Sequence, residues 1–246
     1  MGEAPILPWS SSLEGRRRSI SGGREEVSRQ ADLRGIFDRL LTAFGPQGWW
    51  PGETPFEVIV GAVLTQNTAW ANVERAIWNL KGAGALELEA LHRIDAERLA
   101  ELIRPSGYYN MKARRLKELV RFLVERGGIE ALSKCGTEEL RRALLGINGV
   151  GKETADSILL YAFNRPVFVV DAYTKRIFHR LGHLKEDAGY DDVKGFFEER
   201  LPRDAALYNE YHALIVRLGK ERCRKTRPLC RGCPLSDLCP SSRNKL

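Results

Sequence analysis

Apolar side chains recur at three- and four-residue intervals along most of this chain, which is the spacing of one face of an α-helix. The first run begins at Leu33 and stops at Gly45-Pro46, a pair that ends helices. Two further runs, 56–64 and 69–80, meet at the polar triplet Gln66-Asn67-Thr68, which predicts two helices joined by a turn. More helices are predicted over residues 96–103, 112–125, 137–145, 152–163, 172–181, 191–199 and 205–218.

Strand-like sequence is almost absent. Only Val167–Val170 forms a continuous β-branched and aromatic run, and four residues are too few for a sheet. The pattern therefore predicts an all-α protein. With 246 residues, of which 43% are hydrophobic, the chain can bury a sizeable core without disulfides.

Residues 1–30 mix Ser, Gly and Arg with little apolar periodicity, and we predict a flexible basic, Ser-rich tail there. No stretch approaches the roughly 18 apolar residues of a membrane span, and the N-terminus has no continuous apolar core of a secretory signal. We therefore expect a cytoplasmic, nucleoid-associated protein with no membrane partner.

The net charge of +7 and the pI near 9.3 favour a polyanionic partner. The bias is strongest after Gly219, where eight basic residues accompany only Glu221 and Asp237. A solvated tail could have the same composition, so the charge indicates DNA or RNA contact without establishing it.

Four cysteines near the C-terminus follow the pattern C-x6-C-x2-C-x5-C: Cys223, Cys230, Cys233 and Cys239. Thiolates at this spacing suit zinc or an iron–sulfur cluster, and the spacing alone leaves both open. Two disulfides are the alternative, but they are typical of short secreted chains, and Cys135 would remain unpaired.

A glycine-rich turn, Leu145–Lys152, lies between two predicted helices. Gly149 and Gly151 permit tight backbone geometry, and Val150 can pack between the helices. The free amides of the turn, with Lys152 beside them, could bind a DNA phosphate. An ordinary helix–helix connection is the alternative.

Asp171 ends the apolar run and directly precedes a predicted helix, where an aspartate can serve as the N-cap. A carboxylate at such a position, beside a cleft, can also stabilise an oxocarbenium-like sugar or orient water toward it. Capping and catalysis are compatible at this residue.

The G-V-G turn, the V-V-D sequence that follows it and the cysteine spacing together resemble the helix-hairpin-helix (HhH-GPD) DNA glycosylases related to endonuclease III, over about residues 32–239. The resemblance implies a 4Fe-4S cluster on the four cysteines and Asp171 as the catalytic aspartate. It also implies two helical domains flanking a DNA-binding groove. These would be a six-helix domain, 52–165, that ends in the hairpin, and a second domain, 31–51 plus 166–246, that holds the cluster loop.

Enzymes of this kind flip a damaged nucleotide out of the duplex, because its glycosidic carbon is unreachable inside the stack. By the resemblance, Gln66 fills the gap and Tyr108 is the wedge on the opposite strand. Asn110 and the hairpin would also contact DNA, which we expect to be bound by a monomer. As alternatives, Gln66 could cap a helix and Tyr108 could be half-buried core.

One departure from endonuclease III changes the expected chemistry. That enzyme has a nucleophilic lysine two positions after the second hairpin glycine, where this chain has Glu153. A glutamate cannot form the Schiff base needed for strand cleavage, which predicts a monofunctional glycosylase. Lys152 could act only if the hairpin register differed, since one residue is about 100° around a helix.

Three segments look more like the 3-methyladenine glycosylase III branch than like the pyrimidine-lesion branch: Trp49-Trp50-Pro51, Gln66-Asn67-Thr68 and Gly151–Asp156. That likeness implies a base pocket of Trp49, Trp50, Trp70 and Glu153, with the base held between Trp49 and Trp70. Indole faces attract the positive charge of an alkylated purine. Alternatively, the tryptophans are packing anchors.

The leading prediction is a base-excision repair glycosylase that acts on alkylated purines in double-stranded DNA. Within the same fold, the alternatives are a bifunctional glycosylase/lyase for oxidised pyrimidines and a mismatch uracil or thymine glycosylase. From another class, a non-catalytic or redox-sensing iron–sulfur protein could use the hairpin and cluster only to hold DNA.

Overall fold

The computed structural model describes residues 32–243, and the tail predicted over residues 1–30 lies outside them. Within the described range the regular structure is helical and contains no strand, which confirms the all-α prediction. The α-helices are α1 (Leu33–Phe44), α2 (Pro55–Leu64), α3 (Trp70–Gly82), α4 (Leu88–Arg93), α5 (Ala96–Leu102), α6 (Tyr109–Glu125), α7 (Gly128–Leu132), α8 (Thr137–Leu145), α9 (Lys152–Ser157), α10 (Ala172–Arg180), α11 (Tyr190–Glu198), α12 (Ala205–Glu221) and α13 (Pro240–Arg243).

Two helices differ from the predicted boundaries in ways that shape the site. Helix α6 begins at Tyr109, three residues before the predicted start, and its N-cap Tyr108 has left-handed backbone angles. The helix predicted over 152–163 is α-helical only to Ser157 and continues as a π-helix over Ile158–Ala162. Such π-turns are frequent at functional sites because they re-aim side chains.

The helix count between residues 52 and 165 also differs from expectation. This segment contains eight α-helices, α2 to α9, where the family resemblance implies six. The short α4 and α7 have six and five residues, too few for a clear apolar period. The division of the chain into two helical domains stays a prediction.

Helix α2 is the centre of a large apolar core. Every residue from Phe56 to Leu64 is buried, so the helix is covered on all sides. Buried aliphatic residues of α3, α5, α6, α8 and the π-turn pack around it. Fully burying a Val, Leu or Ile side chain is worth about 1.5–3 kcal/mol, and α2 contributes several such residues.

Contacts between aromatic rings stabilise the packing of the helices that follow residue 167. Phe168 stacks on Phe197 with ring centroids 3.9 Å apart, and Phe178 meets Phe197 edge-on at 4.7 Å. The Tyr211 hydroxyl donates to the Leu33 carbonyl at 2.9 Å, which fastens α1 to α12. The segment Val167–Val170 is buried and has no regular secondary structure, and it leads into Asp171 at the start of α10.

Lys112 is a fully buried cation inside this apolar surrounding. Its Nζ donates to the Leu64 carbonyl at 2.8 Å and to the Ser106 carbonyl at 2.7 Å. One ammonium thus joins the end of α2 to the turn before α6. Burial, with the charge of Arg115, lowers the pKa of Lys112 from 10.5 to about 8.

Replacing Lys112 by Met is expected to destabilise the protein by about 1–3 kcal/mol at neutral pH, because two buried carbonyls lose their donor. Between pH 8 and 10.5 the unfolded chain holds a proton on Lys112 that the folded chain has released. The wild type therefore gains stability with rising pH relative to Lys112→Met across that window. Urea unfolding at several pH values measures both effects.

The exposed Lys134 provides the control, because Lys134→Met is expected to change stability by less than about 0.5 kcal/mol. A constant difference between wild type and Lys112→Met from pH 8 to 10.5 would contradict the depressed pKa.

Candidate functional site

The turn between α8 and α9 is a tight hairpin. Gly149 has φ +90°, and a Cβ at this position would clash with the Arg115 side chain, so glycine is required. Val150 is buried between the helices, and its N–H donates to the Ile147 carbonyl at 3.0 Å. Gly151 is exposed and caps the start of α9. The loop presents exposed backbone at the N-terminus of α9.

Gln66 is tied to this hairpin. Its Nε2 donates to the Gly149 carbonyl at 3.1 Å and to the Thr154 hydroxyl at 3.0 Å, and its Oε1 accepts from Arg115. Thr65 is the C-cap of α2, so Gln66 does not have the helix-capping role that was the alternative. Its use as a gap-filling residue stays a prediction and requires these bonds to break.

Asp171 is the N-cap of α10, as its position in the sequence suggested. Its Oδ1 accepts from the Thr174 N–H at 2.7 Å and from the Thr174 hydroxyl at 2.8 Å. Oδ2 lies 3.7 Å from Nε2 of His212, and both side chains are about nine-tenths buried. Burial opposes ionisation of Asp171, but His212 and Thr174 outweigh it, and the pKa of the carboxyl lies below its ordinary value.

The carboxylate borders a groove that reaches the hairpin. Asp171 lines a cavity of about 640 Å³, and the hairpin and Gln66 line a neighbouring cavity of about 540 Å³. The two cavities share Thr65, Asn67 and Glu153, so they form one continuous depression. The larger cavity is also lined by four cationic side chains, Arg176, Lys220, Arg224 and Lys225. These four cations favour a polyanion in the groove beside Asp171.

Glu153 and Lys152 face different surroundings although they are adjacent. Glu153 lines both cavities, and desolvation together with the charge of Asp171 raises its pKa. Lys152 forms an ion pair with Asp191, which Arg141 also contacts at 3.3 Å. The hydrogen bond that Lys152 donates to Asp191 is the main cause of the lowered pKa of Asp191. A carboxyl group, and not the amine of Lys152, therefore shares the groove with Asp171.

Three tryptophans and a tyrosine form a contiguous aromatic cluster. Ring centroids are 5.5 Å apart for Trp49 and Trp70, 5.3 Å for Trp50 and Trp70, and 5.1 Å for Trp50 and Tyr161. Trp49 and Trp70 touch each other at an angle of 50°, which leaves no gap for a base between them. Their predicted role as a sandwich requires one ring to turn away.

Polar contacts hold this cluster in place. The Gln47 N–H donates to Glu210 of α12 at 2.7 Å, just before Trp49. The Trp70 indole N–H donates to Glu74 at 2.8 Å, whereas the buried Trp49 N–H has no partner among the described residues. Lys220 lies 5.7 Å from the centre of the Trp49 ring, within cation–π range.

Tyr108 and Asn110 lie at the start of α6. Tyr108 is 66% exposed, so it is not the half-buried core residue that was the alternative. Asn110 is exposed and lines a surface hollow of about 400 Å³ with Arg114, Arg115 and Asn148 of the hairpin turn. Their contacts to DNA stay predictions.

The four clustered cysteines line one small cavity of about 40 Å³. None of the five cysteines, all within the described range, forms a disulfide, so that alternative is wrong. Arg180 donates to the Cys223 sulfur at 3.3 Å, and burial is the main cause that raises the pKa of the Cys233 and Cys239 thiols. Among residues 32–243 no group of three or more His, Cys, Asp or Glu side chains is arranged to hold a metal ion.

Two residues near Asp171 were not singled out from the sequence. The sequence analysis assigned no role to His212, and it placed Tyr161 within the helix predicted over 152–163. The structure brings both to the carboxylate, with the Tyr161 hydroxyl bonded to His212 Nδ1. Their separation of 51 residues along the chain leaves no local signal that pairs them.

The sequence of residues 60–203 matches the HhH-GPD superfamily, described as base excision DNA repair proteins. The chain is 55% identical over 209 residues to a Methanocaldococcus jannaschii protein with the provisional name DNA repair glycosylase, covering 84% of this chain and 94% of the relative. It is 32% identical to endonuclease III of Thermotoga maritima, covering 78% and 85%.

Solved structures share the architecture. A 3-methyladenine DNA glycosylase of H. pylori bound to 1,N6-ethenoadenine superposes with a TM-score of 0.66 at 34% identity, over 77% of this chain and 98% of that one. A trapped endonuclease III–DNA intermediate gives 0.74 at 23% identity over 88% and 98%, which shows the fold. The matched segment spans more than half of the sequence, so the chain belongs to the HhH-GPD superfamily of base excision DNA repair proteins and is a DNA repair glycosylase of that family.

Proposed function

We propose that this enzyme is a monofunctional glycosylase that hydrolyses the N-glycosidic bond of an alkylated purine flipped out of double-stranded DNA. The observation that carries the proposal is the residue that faces Asp171 across the groove. It is Glu153, whereas the neighbouring amine of Lys152 pairs with Asp191. Without an amine at that position no Schiff base forms there, and water is the attacking group.

The chain's own residues account for hydrolysis as follows. When alkylation has already made the base cationic, the C1′–N bond breaks as the base leaves neutral with the bonding electrons, and the sugar becomes oxocarbenium-like. The ionised Asp171 stabilises that positive charge and accepts a proton from the water that adds to C1′. Its lowered pKa keeps the carboxylate charged at neutral pH although it is buried.

The aromatic cluster supports a purine as the substrate. Trp49, Trp50 and Trp70 provide indole faces on which a flipped base can stack, at about 0.5–1.5 kcal/mol per aromatic pair. The H. pylori relative, which shares 34% identity, binds 1,N6-ethenoadenine. Lys220 lies 5.7 Å from the centre of the Trp49 ring, so its charge would oppose a cationic base stacked there. We therefore include both charged and neutral purine lesions among the substrates to test.

DNA binding follows from the same groove. The four basic side chains beside Asp171, together with the exposed hairpin, match the charge of a phosphate backbone. Tyr108, which protrudes at the start of α6, is the proposed wedge, and Gln66 is the proposed gap-filling residue.

A bifunctional lyase is the second candidate, and one observation favours it. Lys220 places an amine along the groove that contains Asp171. The amine also lies near Trp49, where the base would bind, so it could approach the sugar from the base side.

For the cofactor we propose a 4Fe-4S cluster held by Cys223, Cys230, Cys233 and Cys239. The four residues surround one cavity, and the guanidinium of Arg180 faces it and would offset thiolate charge. When bound, the cluster would cross-link the basic loop that borders the groove.

Asp171→Asn is expected to lower single-turnover base release by at least about 100-fold and to leave duplex affinity unchanged. Asparagine caps a helix as well as aspartate does, so the start of α10 is preserved. The measurement uses duplexes that contain 3-methyladenine-type, ethenoadenine, oxidised-pyrimidine or mismatched-uracil lesions, with and without alkali. The exposed Asp187, changed to Asn, is the control.

Free base without strand nicking before alkali supports the monofunctional proposal. Preference for oxidised pyrimidines or mismatched uracil would contradict the alkylpurine assignment. No release from any lesion would favour the non-catalytic DNA-binding alternative.

Glu153→Lys is expected to produce an enzyme–DNA adduct that borohydride traps, because the new amine would lie beside Asp171 in the groove. The wild type and Lys152→Gln should yield none. Trapping by the wild type that disappears in Lys220→Gln would instead support the lyase.

Cys230→Ser is expected to remove the visible absorbance of an iron–sulfur cluster and most of the iron from purified protein, which should hold about four irons per chain. Cys135→Ser, outside the cavity, should retain both. Stoichiometric zinc in place of iron would show that the cluster assignment is wrong.

A further inference from the structure

His212 of α12 has a buried imidazole to which the hydrolysis proposed above assigns no role. It is 6% exposed, and its Nε2 has no hydrogen-bond partner among the described residues. A buried polar nitrogen without a partner is costly unless another state of the protein satisfies it. The nearest acidic atom is Oδ2 of Asp171, 3.7 Å away.

The two oxygens of Asp171 are not equivalent. Oδ1 accepts both the N–H and the hydroxyl of Thr174, so it is committed to the helix cap. Oδ2 accepts no hydrogen bond within the described range and faces His212. A contraction of less than about 1 Å would convert the 3.7 Å contact into a hydrogen bond.

Tyr161 contacts the other ring nitrogen of His212, so it bears on which nitrogen carries the proton. Its hydroxyl bonds to Nδ1, and burial, with the charge of Asp171, raises its pKa well above the ordinary value. The hydroxyl therefore stays protonated and is able to donate to Nδ1. A neutral imidazole that accepts at Nδ1 carries its hydrogen on Nε2, which is directed at Asp171.

We propose that His212 is a positioning residue for Asp171, whose Nε2–H, oriented by Tyr161, holds Oδ2 in place as positive charge develops on the sugar. The proposal rests on the catalytic role given to Asp171 above. Tyr161 would then have two roles, because it orients His212 and its ring also lies 5.1 Å from Trp50 in the aromatic cluster. The same tyrosine thus touches the proposed base pocket and orients the group behind the carboxylate.

Three described groups face His212 from the elements packed against it: Asp171 at the start of α10, Tyr161 in the π-turn and Glu153 in α9. Burial alone would raise the pKa of Asp171, and His212 is the leading influence that lowers it. Removing His212 therefore raises the pKa of the carboxyl. Since activity needs the ionised form, the acid limb of the rate profile moves to higher pH.

The experiment compares His212→Leu, His212→Gln and Tyr161→Phe with the wild type. Single-turnover base release is measured from about pH 4 to about pH 8, with duplex affinity and thermal stability in parallel. His212→Leu is expected to lose about 10- to 100-fold in rate at unchanged duplex affinity, with its acid limb shifted upward. His212→Gln, whose amide can donate to Oδ2, should recover most of the rate at neutral pH. Tyr161→Phe should fall between these two.

An unchanged acid limb in His212→Leu would overturn the proposal. Equal losses of rate in His212→Leu and His212→Gln, in proportion to their losses of thermal stability, would also overturn it. That pattern would indicate that His212 contributes only packing. Asp171→Asn, measured beside them, separates this inference from the function on which it rests. Full activity of Asp171→Asn overturns both, whereas an inactive Asp171→Asn with a wild-type profile for His212→Leu overturns only the role of His212.

Discussion

The hydrolysis proposed for this site depends on keeping the buried carboxylate of Asp171 ionised. Burial by itself favours the neutral form of Asp171, and a neutral carboxyl cannot stabilise a cationic sugar. The fold offsets that cost with the N-terminus of α10, the two groups of Thr174 and the imidazole of His212. These come from different elements, so the carboxylate is maintained only when α10 and α12 are packed together.

Much of the architecture could be predicted from local sequence. Apolar spacing identified α1, α2 and α8, because each presents a buried stripe or is buried throughout and ends at a polar or glycine-containing turn. Asp171 was identifiable as a cap because capping depends on immediate neighbours. The short α4 and α7 were not predicted, because six and five residues are too few to establish an apolar period.

Features that depend on tertiary contact could not be predicted from the sequence. Nothing near Lys112 indicates that its amine is buried, because the carbonyl of Leu64 that receives it lies 48 residues earlier. No local pattern marks His212, because its relevance arises only when α12 packs against the π-turn and α10. The tryptophan cluster was predicted as a set of residues, but the contact between Trp49 and Trp70 depends on how the loop before α2 is held on α12.

The amine of Lys112 also links two backbone segments that are far apart along the chain. One of its bonds ends at Leu64, two residues before Gln66, and the other ends at Ser106, two residues before Tyr108. Gln66 and Tyr108 are the groups proposed to enter the duplex from its two strands. Because one ammonium joins the two backbone segments that lead to these side chains, loss of Lys112 would release both segments from each other at once.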